Sequence, residues 1–281
     1  MNARSWALQG RFGARRAADS TAMAAAARAG FAARGLIYVL VAVIALQIAF
    51  GGDSGGKQAD RGGALGELAG RPFGSVMLWT VGIGLAGMAL WRLSEAAFGG
   101  PGPDGSKLSH RAADLLRSVF YAFVSYSVLA YAAGDRGSGS GSSDRNTDDV
   151  TAKVLEWPGG QWILGIAGVG VVIAGLWIAV RAVQRTFRKH LRTHEMSART
   201  RKVVEAVGVT GGSARGVVFA AAGVFAVVAA VQHQPGKARG MDDTLRGFRD
   251  LPAGPWLLAA VALGLAAFGV FSWCNARWRK V

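Results

Sequence analysis

At 281 residues the chain could form one or two soluble domains, but only 17% of it is charged and 41 residues are glycine, a residue costly inside soluble helices and common inside membrane ones. The single cysteine, Cys274, excludes an intrachain disulfide and a multi-cysteine metal site. A net charge of +15 would suit a nucleic-acid binder, but its placement, loop by loop, excludes that reading.

In chain order, residues 1–27 are Arg-rich with one acid, Asp19, and lack the ordered regions of a signal peptide. They read as a disordered basic cytoplasmic tail with affinity for anionic lipid. Six stretches then carry no Asp, Glu, Lys or Arg: 35–52, 72–91, 118–134, 158–180, 216–236 and 251–276. A helix needs about 20 mainly apolar residues to cross roughly 30 Å of hydrocarbon. Transmembrane helices are predicted at about 31–50, 72–97, 113–133, 158–183, 212–232 and 252–276. The connections before 72, 158 and 252 carry apolar pairs (Leu65 and Leu68, Val154 and Leu155, Leu245 and Phe248) among charges, as a short interfacial helix would. Gly/Ser-rich stretches at 51–56 and 137–143 read as linkers. The basic connection 181–205 reads as a helix continuing the fourth span, its cations facing lipid headgroups.

With six spans, both termini and the even-numbered connections share one side, which holds 22 of the 32 Lys and Arg and 6 of the 17 acids. Basic loops stay in the cytoplasm, so this asymmetry puts both termini there. Arg outnumbers Lys 25 to 7 and Ala and Gly abound, a bacterial composition. The expectation is a multi-pass protein of the bacterial inner (plasma) membrane that binds no nucleic acid.

Fixed offsets reveal an internal repeat. Each odd span opens on an arginine, a small residue next to it and an aromatic four positions on: Arg34, Gly35, Tyr38; Arg117, Ser118, Tyr121; Arg215, Gly216, Phe219. Four positions before each arginine stands another small residue, Gly30, Ala113 or Gly211. Each even span begins at a proline (Pro72, Pro158, Pro252) followed at fixed distances by two glycines and an aromatic: Gly74, Gly84, Trp91; Gly160, Gly170, Trp177; Gly254, Gly264, Phe271. Proline suits the first helical turn, and a mid-span glycine lets a neighbouring backbone approach. The fold class is therefore all-α, a polytopic membrane protein of six transmembrane helices in three tandem two-helix repeats, 28–99, 110–190 and 206–280. Gly84, Gly170 and Gly264 are the expected helix-packing positions.

Among polar candidates, Arg34, Arg117 and Arg215 are the first. They can converge on an anionic ligand or snorkel outward to lipid headgroups, and the outward arrangement is expected because an arginine at a span's end is inexpensive. Glu95 is expected to pair with Arg92 or an arginine at the mouth of the first span. His190 and His194 have i, i+4 spacing without a third ligand, so no metal site follows. Neither a catalytic constellation nor a cofactor motif is legible. The expected function is that of a non-enzymatic accessory or organising component that binds membrane lipids or a membrane-protein partner; the alternative is a small transporter or channel with a site at the axis of the repeats.

The pattern R-x-G-x-x-x-R-G-x-x-Y is intact in the first copy at Arg28, Gly30, Arg34, Gly35 and Tyr38. The second copy departs from it at Ala113 and Ser118; the third lacks the leading arginine and ends on Phe219. Over residues 28–280 the chain resembles the bacterial three-repeat membrane proteins catalogued as domain of unknown function 1206. The resemblance implies six helices in a bacterial membrane and supplies no activity.

Overall fold

The computed structural model describes residues 21–50, 59–99, 107–134, 143–234, 237–249 and 251–280. The first 20 residues of the basic tail, the linker 51–56 and most of the linker 137–143 lie outside the described residues.

Helix α1 (Thr21–Phe50) starts ten residues before the predicted 31. Residues 21–27, assigned above to the tail, are helical because this stretch is mostly alanine, the strongest helix former. The short α2 (Arg61–Ala69) leads into α3 (Gly74–Phe98). After α4 (Leu108–Ala132) the pattern recurs as α5 (Ser143–Leu155) and α6 (Gly160–Val183). After α7 (Ala198–Gln232) it recurs as α8 (Met241–Arg249) and α9 (Gly254–Trp278). Helices α1, α3, α4, α6, α7 and α9 are all long and apolar enough to cross a membrane.

The prolines stand differently from expectation. Each even span begins two residues beyond its proline, and the residue between, Phe73, Gly159 or Ala253, is left-handed at φ 64°, 79° or 59°. Proline disfavours helix in the residue before it, so the short outer helix stops there and the left-handed residue redirects the chain into the span. A Cβ on Gly74 would meet the Ala69 carbonyl oxygen at 2.6 Å; on Gly160 and Gly254 it would strike the carbonyls of Val154 and Arg249. Pro-x-Gly is thus the joint between interfacial helix and span.

The connection 181–205 is not a continuous helix. Arg185 is left-handed at φ 55°, and two 3-10 turns, Thr186–His190 and Thr193–Glu195, separate α6 from α7. The Ser197 side chain then caps α7 by accepting from Thr200 N at 3.1 Å, which offsets about 1 kcal/mol of unpaired backbone. Arg185 and Arg188 both reach Glu205 at 3.3 Å, fastening this turn to the first part of α7.

Spans that follow one another in sequence lie side by side, and α9 packs on α1, with one exception. The packing order is α4–α3–α1–α9–α7–α6, and α4 and α6 share no packed face. Ile44 and Ile48 of α1 meet Leu258 and Leu265 of α9 in the largest core cluster; Leu85 of α3 and Val128 of α4 anchor another. A Cβ on Gly84 would lie 3.0 Å from the Ala29 carbonyl oxygen and 3.3 Å from Ala33 Cβ, and one on Gly264 would strike Ala214. Nothing lies within 4 Å of the same position on Gly170. The expectation that Gly170 packs a helix is corrected: its partner span is not there.

Candidate functional site

Where the odd spans α1, α4 and α7 converge, together with α6, the molecule holds a cavity of about 510 Å³, within the ~300–1,000 Å³ of small-molecule sites. Its walls are mainly aliphatic. The three in-register aromatics, Tyr38, Tyr121 and Phe219, all line it, and so do Arg34 and Arg215. Thr151, Asp60, Arg61 and Arg239, contributed by the outer helices and their flanks, stand at the opposite end. A hydrogen bond from Ala59 N to Asp242 Oδ1 (2.6 Å) holds the first and third repeats together there, and Arg246 Nε donates to Asp242 Oδ2 at 2.8 Å.

Arg34 does not snorkel. Its Nε donates to Ser272 Oγ on α9 at 3.1 Å and its Nη1 to Tyr121 Oη on α4 at 3.2 Å, so one side chain joins all three repeats. Its guanidinium lies 5.2 Å from the centre of the Phe268 ring, and that of Arg215 lies 5.1 Å from the same ring. Such contacts with an aromatic face favour a cation by about 0.5–2 kcal/mol. Arg215 also lies over Phe219 at 5.2 Å, and its buried Nε has no hydrogen-bond partner among the described residues. Neither arginine meets a carboxylate among the described residues. For these two the outward expectation is corrected. Their stems start from helix faces that line the cavity; Phe219, at i+4, holds the Arg215 guanidinium inward, whereas that of Arg34 lies over Phe31 and Phe268.

Arg117 takes a third course. Half-exposed, it donates to Asp114 Oδ1 at 2.7 Å and does not line the cavity. Asp114 also accepts from Arg92 Nη1 at 2.9 Å, and Arg92 pairs with Glu95 at 2.7 Å. This buried network answers the expectation for Glu95. Removing the buried Arg92 would leave two buried carboxylates short of a partner, at a cost of roughly 3–5 kcal/mol. Three positions before the arginine the other repeats carry Phe31 and Gly212 where the second carries Asp114. That single acid was the legible sign that the three arginines would differ. Arg279 packs over Phe31 and Trp91, at 5.2 Å from each; burial, with Arg92 alongside, pulls its guanidinium down to about 9, so it remains cationic at neutral pH.

His190 and His194 fall on separate 3-10 turns rather than one helical face. Burial, aided by Arg279 and Arg181, pushes His190 down to about 4. No group of three metal-ligating side chains occurs among the described residues.

Six apolar spans, three repeats and a cavity between the spans define a multi-pass membrane protein of repeated helical hairpins. The chain belongs to the family described as Domain of Unknown Function (DUF1206), whose profile matches it three times, at 29–99, 115–185 and 210–279. It is similar to the uncharacterized protein YxxB of Bacillus subtilis (strain 168), 30% identical over 247 residues covering 87% of each chain. No solved structure matches it.

Proposed function

We propose that this is a non-enzymatic protein of the bacterial inner (plasma) membrane, with both termini cytoplasmic, that holds an anionic amphiphile from the surrounding lipid in its cavity. Arg34 and Arg215 take the acidic head group and the aliphatic wall takes the tail. The observation that carries this reading is the pair of inward guanidiniums on one phenyl ring, with no carboxylate among the described residues to balance them. Two cations sharing one ring in an apolar setting favour an anion that neutralises them. Their depth fits as well: Arg34 lies sixteen residues from the end of α1 at Phe50, roughly 24 Å along the helix, near the head groups of the basic leaflet. Arg117, already neutralised by Asp114, takes no part. The same site would serve a small transporter, because the cavity continues from the arginines to the outer helices.

Native mass spectrometry of the purified protein tests the ligand class. Phosphatidylglycerol and oleate are expected to be retained over phosphatidylethanolamine, and the stronger of the two anionic arms tells a phospholipid from a free fatty acid. Retention independent of head-group charge would remove the reading. Orientation is tested with single cysteines on a Cys274→Ser background. An impermeant maleimide added to spheroplasts is expected to label Glu156→Cys and to spare His194→Cys until lysis; the reverse pattern would invert the topology.

A further inference from the structure

The packing order has one missing joint, between α4 and α6 within the second repeat, and the residues at that joint account for it. In the first repeat a Cβ on Gly30 would meet Met88 Cβ at 2.5 Å, and in the third a Cβ on Gly211 would meet Phe268 Cα at 2.5 Å. The two hairpins therefore close only because those positions are glycine. The second repeat has Ala113 there. One turn on, the small Ala33 and Ala214 that receive Gly84 and Gly264 are replaced by Leu116, which is 72% exposed. Gly170, the third equivalent, faces open space.

The gap also leads somewhere. Tyr121 and Val124 of α4, and Ala167, Gly168 and Val171 of α6, line the cavity from its two sides. Only 11% of the apolar stretch of α6 is buried, against 56% for α3 and α9, so α6 is the least buried of the six spans.

We infer that the α4–α6 joint is a lateral portal, held open by Ala113 and Leu116, through which the tail of an anionic amphiphile passes from the bilayer into the cavity. This rests on the cavity-binding reading above and adds the route and the residues that keep it open. The first repeat gives the geometry of a closed joint: Ala33 Cβ lies 3.3 Å from where a Cβ on Gly84 would stand, close to the ~3.5–4.5 Å a disulfide spans. Cysteines at the equivalent places, 116 and 170, would meet only if the second hairpin closed likewise. Both positions have room for the change.

The test uses the full chain with Cys274→Ser, Leu116→Cys and Gly170→Cys, with or without Ala113→Gly, in nanodiscs, and follows uptake of fluorescent phosphatidylglycerol. The disulfide is expected to form faster with Ala113→Gly, to abolish uptake when formed, and to release it on reduction. Equal rates with and without Ala113→Gly, or no cross-link in either, would overturn the role of Ala113 and Leu116. Uptake that persists through the cross-link would overturn the portal and leave the cavity reading intact. If the parent takes up no probe at all, both fall together.

Discussion

Replacing Arg34 and Arg215 together by alanine is expected to abolish selective retention of phosphatidylglycerol while the six-span fold persists. Hydrogen bonds to a charged partner contribute about 1.5–3 kcal/mol each, so either single substitution should weaken binding roughly 10- to 100-fold. The fold should survive because neither side chain is half of an ion pair among the described residues; their partners there are neutral hydroxyls and aromatic rings. Lysine is a sharper probe. Arg34 uses two nitrogens to reach Ser272 and Tyr121 on different helices, a fork that one ammonium cannot reproduce. Arg34→Lys should therefore lose most of the affinity while conserving charge. Arg117→Ala serves as the contrast, since its guanidinium faces Asp114 outside the cavity. Binding by the double variant equal to that of the parent, measured by native mass spectrometry, would place the ligand elsewhere.

The second large effect separates glycines that look equivalent in the sequence. Gly264→Leu should destabilise the protein by at least about 1–3 kcal/mol, the usual cost of overpacking, because even its Cβ would strike Ala214 on α7. Gly170→Leu should be neutral or slightly stabilising. It has open space around it, and leucine regains up to roughly 1 kcal/mol of helix propensity over glycine. Thermal unfolding in one detergent compares the two. A loss of stability in Gly170→Leu as large as in Gly264→Leu would mean that α4 and α6 pack together in solution.

Much of the candidate site was legible as position and little of it as geometry. The i, i+4 step from arginine to aromatic put Tyr38, Tyr121 and Phe219 in register with their arginines, yet gave no sign that all three would line one cavity. Interfacial arginines ordinarily snorkel, and that general tendency argued for three outward side chains. It failed for Arg34 because Ser272 lies 238 residues away in sequence and Tyr121 lies 87 away. The buried Arg92–Glu95 pair was nearer at hand, being one helical turn apart, whereas its link to Asp114 crosses from α3 to α4.

The sequence by itself determined six spans, three repeats and the short outer helices. Each of these follows from local quantities: apolar length against membrane thickness, and the stop that proline imposes on the helix before it. Tertiary structure alone decided which repeated residues are equivalent in fact. Gly84, Gly170 and Gly264 stand at the same offset from their prolines, but a glycine packs only if the facing helix arrives, and that depends on side chains in another span. Gly30 with Ala33, and Gly211 with Ala214, admit the close approach; the extra methyl of Ala113 and the isobutyl group of Leu116 do not. Four carbon atoms at one joint thus separate a closed hairpin from an open one, because packed helices meet at van der Waals contact and have no slack in which to absorb them.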